Sequence, residues 1–176
     1  MERDRHSPER LLFHDPDEAE AARVDAEAST PDMRIQHLQR VSLFSGFSEA
    51  ELRQVAALSK IIEVPAGTVV TRTGEPGDSF FVIIDGTVAV QTPAGAANQL
   101  APGDFFGEMS LLDGEPRSAT IVATTDLRLL NVERSHFWQL LEETPDLIRR
   151  MLIILSRRVR HVEQTLNAML RGATPT

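Results

Sequence analysis

The chain has 176 residues, 41% of them hydrophobic, enough for one folded unit with a single sizeable core. Cysteine is absent, which excludes disulfides, thiolate metal ligands and a cysteine nucleophile. The net charge of −8 is concentrated in residues 1–33, where ten acidic residues face four arginines; the near-neutral remainder has no electrostatic footprint for nucleic acid.

In chain order, residues 1–32 mix Asp, Glu, Ala and Arg with few large apolar side chains. Such a segment has little burial to offset its ordering entropy, and its composition predicts a mostly disordered acidic stretch. Helix propensity favours a short helix from Glu18 to Ala28, but its only apolar face is alanine. From Met33 the apolar residues Ile35, Leu38 and Val41 recur at helical spacing. Ser48 and Glu51 then have the spacing of a capping box, predicting a helix from Glu49 to Leu58.

From Ile61 to Val132 the punctuation changes. Glycine and proline recur at Pro65-Ala-Gly67, Gly74-Glu-Pro-Gly77, Asp85-Gly86, Pro93-Ala-Gly95 and Pro102-Gly103. Between them lie IIEV, TVVT, SFFVII, TVAVQT, ATIVA and LRLLNV, short β-branched and aromatic segments that read as the strands of a sandwich or barrel. Asp85-Gly86 carries the signal of a tight hairpin. After Val132 the pattern is helical: Ser135 is a candidate cap for a helix carrying Phe137, Leu140 and Leu141. Thr144 and Pro145 open a last helix expected to run to about Leu170. This divides the chain into an acidic segment (1–32), a barrel with N-terminal helices (33–145) and a C-terminal helix (146–171).

The most informative stretch runs from Gly103 to Thr120. Between two predicted strands, Glu108 to Leu112 reads as a single helical turn, and Gly107 at its start permits close backbone approach to an anion. Arg117 follows Pro116 just before a strand, where a guanidinium presents a planar fork of donors suited to phosphate oxygens. Glu108 is an acceptor that a phosphate would repel and a ribose hydroxyl would welcome. Together they suit a phosphorylated sugar better than free phosphate. The competing reading is a surface ion pair of small worth.

Phe106-Gly-Glu-Met-Ser-Leu-Leu followed by Pro116-Arg-Ser-Ala119 resembles the phosphate-binding cassette of the cyclic nucleotide-binding domain family, whose members include bacterial catabolite activators, kinase regulatory subunits and certain ion channels. The resemblance covers roughly residues 40 to 170 and includes the turn glycines Gly67, Gly74, Gly86 and Gly103. It implies a jelly-roll (double-stranded β-helix) barrel, mainly β with flanking helices, followed by a long C-terminal helix. It further implies that Glu108 takes the ribose 2′-hydroxyl, that Arg117 takes the equatorial phosphate oxygens, and that the amides near Met109, Ser110, Ser118 and Ala119 complete a cradle opened by Phe106 and Gly107. The implied ligand is cAMP, or cGMP in its place. Ser118 serves either base, while Val162 and Glu163 stand where the catabolite activators carry the hydroxyl residues that meet adenine.

In the last helix Ile148, Leu152, Leu155, Val159, Val162, Leu166 and Met169 are spaced alternately four and three apart, the a and d positions of three heptads. The reading is a parallel homodimer, with a lid over the barrel as its competitor. Leu147, Met151 and Ile154 form a second apolar face for the barrel, and Arg149, Arg150, Arg157, Arg158, Arg160 and Glu163 read as solvated flanks. Since no winged helix-turn-helix follows Leu170, direct DNA binding is not expected.

These readings converge on a non-enzymatic regulatory sensor that binds a cyclic nucleotide and signals to an unidentified effector protein. The alternative is a vestigial, ligand-free barrel acting as a structural dimeriser. A metal-dependent cupin-type enzyme fails on ligand supply, because His6, His14, His37, His136 and His161 all lie outside the predicted strands. No metal is expected. No apolar run approaches the roughly 18 to 20 residues of a membrane span, and the first ten residues lack the apolar stretch of a signal peptide, so no membrane association and a cytoplasmic location are expected.

Overall fold

A computed structural model describes residues 23–24, 31–93, 95 and 97–172. Two antiparallel sheets pack face to face. The larger contains β1 (Arg23–Val24), β2 (Lys60–Val64), β9 (Leu127–Glu133), β4 (Ser79–Asp85) and β7 (Phe105–Phe106), in that order. The smaller contains β3 (Val69–Thr71), β8 (Thr120–Ala123), β5 (Val88–Gln91) and β6 (Ala97–Leu100). Helices α1 (Pro31–Gln39), α2 (Glu49–Ala57) and α4 (Arg134–Glu143) flank the sandwich. A short α3 (Glu108–Asp113) sits between β7 and β8, and the long α5 (Pro145–Gly172) closes the described chain. The mainly β fold with flanking helices and a long C-terminal helix is the one expected. No described helix is long and apolar enough to cross a membrane.

The sequence of β4 explains why the larger sheet is central. Its first five residues, SFFVI, are all buried, as in a strand covered on both faces. Alternation sends Phe80 and Val82 toward the helices, where they join Leu130, Val132, Phe105 and Phe137 in one core. Phe81 and Ile83 point the other way and meet Leu129, Phe106, Val88 and Ile121 between the sheets. In the first core, the Phe80 ring lies 5.6 Å from Phe105 and 5.4 Å from Phe137. Truncating one such ring to alanine costs about 3–5 kcal/mol.

Six strands lie on the six segments read from the sequence. Ser48 and Glu51 make the expected capping box, the Ser48 N–H reaching Glu51 Oε2 at 2.7 Å and the Glu51 N–H reaching Ser48 Oγ at 3.3 Å. Four expectations need correction. Asp85-Gly86 does not close a hairpin: β4 pairs with β7 and β9 while β5 pairs with β6 and β8, so this turn carries the chain from one sheet to the other. Ser135 does not cap α4, which starts one residue earlier, at Arg134, with Glu133 at its cap. Thr144 does not cap α5 through its side chain; its hydroxyl donates back to the Leu140 carbonyl and so closes α4, although Pro145 is the first residue of α5 as read. Finally, Arg23 and Val24 are not helical but pair with Glu63 and Ile62 along the edge of β2, which offers unpaired backbone groups to a β-branched residue. The rest of Glu18 to Ala28 lies outside the described residues.

Candidate functional site

The sandwich, α3 and α5 enclose a cavity of about 740 Å3. Its floor and walls come from Thr71 and Phe106, from Val90, Thr92 and Asn98 to Leu100 on the β5–β6 ribbon, and from Ser118, Ala119 and Ile121 leading into β8. Gly107, Glu108, Met109 and Ser110 line one end beside Arg117, and Ile154, Arg157, Arg158, His161 and Val162 of α5 overhang it. All eight residues singled out in the sequence, Phe106 to Ser110 and Arg117 to Ala119, therefore line one cavity.

Their local order follows from two glycines. Gly107 adopts φ +84° at the start of α3, a conformation that disfavours any side chain, and a Cβ there would stand 2.6 Å from Arg117 Nη1. In its absence Arg117 Nη1 donates to the Gly107 carbonyl at 3.0 Å. Gly77, just before β4, lets the chain pass Arg117 so closely that a Cβ would fall 2.8 Å from its Nε and 2.5 Å from Ser110 Cβ. The backbone of Arg117 is clamped as well: its N–H donates to the Glu75 carbonyl, and the Arg117 carbonyl accepts from the Gly74 N–H, both at 2.8 Å. Arg134 ties the same region together, donating to the carbonyls of Gly77 at 2.8 Å and Ser110 at 2.9 Å.

Arg117 and Glu108 are thus both rigid and buried, at 8% and 4% exposure. Burial pulls the Arg117 guanidinium down to about 10, against the raising effect of the Asp78 and Glu108 carboxylates. It remains a cation at neutral pH, with 5.9 Å between its Cζ and the Phe81 ring centre. Burial likewise raises the Glu108 carboxyl, while Arg158, the residue's own N–H and Arg117 pull it back. A desolvated cation, a desolvated carboxylate and the N–H groups of a first helical turn, which have no acceptor within the helix, converge on one end of the cavity. This is chemistry for an anion attached to a hydroxylated ring.

Around this centre, Phe106 is buried against Phe81, the rings 5.0 Å apart and stacked, and Ser118 Oγ lies 3.5 Å from Met109 Sδ at the exposed rim. The sequence reading missed Arg158. Read as a solvated flank of the heptad seam, it instead reaches Glu108 Oε1 at 3.3 Å, donates to the Phe105 carbonyl and stacks 4.6 Å from the Phe105 ring. Its position four residues after Ile154 and seven after Met151, on the barrel-facing side of α5, was the available signal. Arg150 departs from the flank reading too, donating to the carbonyls of Ser42 and Ser45 and lying over Phe47. Among the described residues no group of His, Asp and Glu is placed to hold a metal ion.

The family model of the cyclic nucleotide-binding domain matches residues 61–144, the span that carries the sandwich strands from β2 onward, the cassette and α4. Residues 61–144 belong to the cyclic nucleotide-binding domain family. A cyclic nucleotide-gated potassium channel of Mesorhizobium japonicum is 42% identical over 107 residues, covering 61% of this chain and 30% of the channel. The chain therefore spans less than a third of that relative's length. Among solved structures, PKAR CBD2 with bound Sp-2Cl-cAMPS aligns with a TM-score of 0.64 at 29% identity, over 83% of this chain and 94% of that one. A cyclic nucleotide-binding domain from Methylobacillus flagellatus aligns with a TM-score of 0.68 at 25% identity, over 97% and 99%. Residues 61–144 thus match the family model, and the chain shares its fold with solved cyclic nucleotide-binding domains.

Proposed function

We propose that this chain is a non-enzymatic regulatory sensor that binds cAMP, or cGMP in its place, in the cavity between the β5–β6 ribbon, α3 and α5. The observation that carries the reading is the buried Arg117 guanidinium fixed on the Gly107 carbonyl beside the buried Glu108 carboxylate. Two opposite charges held out of water in a cavity are costly unless something satisfies them, and a cyclic phosphate with a ribose 2′-hydroxyl does so for both. Arg117 pairs with the equatorial phosphate oxygens, and Glu108 accepts the hydroxyl. The amides near Met109, Ser110, Ser118 and Ala119 supply the remaining donors, and Phe106 and Gly107 shape the floor. Likeness to PKAR CBD2, solved with the cAMP analogue Sp-2Cl-cAMPS bound, favours cAMP. The persistence of both charged residues disfavours the vestigial, structural reading.

Arg158 extends the site beyond the cassette. By joining Glu108 to α5 it makes the ribose end the point where a ligand and the C-terminal helix compete for the same carboxylate. In this reading α5 carries occupancy to an effector protein, and its exposed seam joins two chains in a cytoplasmic homodimer.

The ribose assignment is tested by a ligand–variant cycle. A 2′-deoxy cyclic nucleotide is expected to bind the unmodified protein more weakly than the ribo form. Glu108→Ala is expected to bind both alike, since each then lacks the same contact. A deoxy penalty of unchanged size in Glu108→Ala would remove Glu108 from the ribose.

A further inference from the structure

A second cavity, of about 430 Å3, lies on the outer side of α5, against the short turn that follows α1. Leu43 forms part of its floor, Ile153 part of its wall, and Arg149, Arg150 and Arg157 its polar edge, with Asp146 the one carboxylate. Arg150 is committed to the carbonyls of Ser42 and Ser45. Arg149 and Arg157 are exposed, with no hydrogen bond or ion pair among the described residues. Ile153 is 44% exposed. It falls outside the heptad seam, so dimerisation through that seam leaves it uncovered. An exposed isoleucine bordered by two uncommitted cations calls for an occupant with adjoining apolar and acidic parts.

The chain itself contains one. Leu11-Leu12-Phe13 is followed by Asp15, Asp17, Glu18 and Glu20, an apolar triplet leading into four carboxylates within six residues. These residues lie outside the described structure and belong to the part of the chain that holds most of its net negative charge. We propose that residues 11–20 dock in this groove of the same chain, with the apolar triplet against Ile153 and the carboxylates on Arg149 and Arg157. The charge complementarity is specific in sign. The acidic excess of the chain is N-terminal, whereas the surface of α5 carries six arginines against two acidic residues. Arg157 also lines the larger cavity, which puts the docked segment next to the ligand site.

The absence of cysteine makes the test clean. Ala19→Cys and Ile153→Cys in the full-length chain place one thiol on the segment and one in the groove. Under mild oxidation at low salt, a disulfide is expected within single chains, seen as a monomer band of altered mobility on a non-reducing denaturing gel. Arg149→Glu with Arg157→Glu in the same background is expected to slow it about tenfold, the scale on which electrostatic steering acts. Arg149→Gln with Arg157→Gln should fall between, and added salt should slow the parent pair toward the same rate. A rate unmoved by charge reversal would overturn the proposal, and so would cross-linking only between chains, which would place the groove's occupant on a second copy.

Discussion

At the scale of single residues, Glu108 and Arg117 are held where burial works against their charge, and that opposition has a measurable sign. Burial raises the Glu108 carboxyl above its ordinary value of 4.5, partly countered by Arg158. A group whose folded pKa exceeds its unfolded pKa stabilises the fold fully below the ordinary range and loses that contribution as pH rises through the raised value. Ionised Glu108 is therefore a burden on the ligand-free protein at neutral pH. Glu108→Gln is expected to raise Tm at pH 7, with the gain shrinking as pH falls toward 4.5 and below. A lower Tm at pH 7 would mean that Arg158 and Arg117 outweigh desolvation. Gly77 tests the other charge: a Cβ 2.5 Å from Ser110 Cβ and 2.8 Å from Arg117 Nε pushes both side chains out of place. Gly77→Ala is expected to weaken cyclic nucleotide binding roughly tenfold, about 1.4 kcal/mol. Unchanged affinity would show that Arg117 is not positioned there. Gly107, Glu108 and Arg117 were legible in the sequence because their chemistry and spacing are local. Gly77, Arg134 and Arg158 were not, because each acts on residues far along the chain that only the fold brings near.

At the scale of elements, α5 presents two faces with different duties. Leu147 and Met151 are buried in the helix-side core, and Ile154 and Leu155 pack partly against it. Leu152, Val159, Val162, Leu166 and Met169 are all more than half exposed, and Val162 also stands over the ligand cavity. Five large apolar residues in one stripe on a helix call for a partner. Since Leu155 also packs on the core, the sharper disruption uses Val159→Asp with Leu166→Asp, which would bury charge at the seam at several kcal/mol. Light scattering is expected to report a dimer for the parent and a folded monomer for the variant. A monomeric parent at micromolar concentration would leave the stripe to another protein. The helix itself was legible from its four-three spacing, and the central strands from their β-branched runs. β6 was missed because Ala97–Leu100, ANQL, carries no β-branched residue and is held by pairing with β5, while β7 was absorbed into the loop before α3. The turn at Asp85-Gly86 has hairpin chemistry, but its flanking strands separate into different sheets, a choice made by β9 and β8 rather than by the turn.

At the scale of the molecule, the larger sheet separates two cores: helices pack on one face, and the smaller sheet on the other. The cavity opens beside that divide. Phe106 belongs to the inter-sheet core, Phe105 to the helix-side core, and Arg158 bonds the Phe105 carbonyl. A ligand drawn to Glu108 and Arg117 would lie against Phe106 of the inter-sheet core and reach α5 through Arg158. Calorimetric titration of cAMP and of cGMP into the unmodified chain and into Arg117→Leu tests this account most directly. Saturable binding of one nucleotide per chain is expected. Arg117→Leu is expected to weaken it by about 2–5 kcal/mol, since the phosphate charge is left unpaired in a partly desolvated pocket, which is roughly thirty-fold to several-thousand-fold in affinity. Absence of binding by either nucleotide, or unchanged affinity in a folded Arg117→Leu protein, would contradict it.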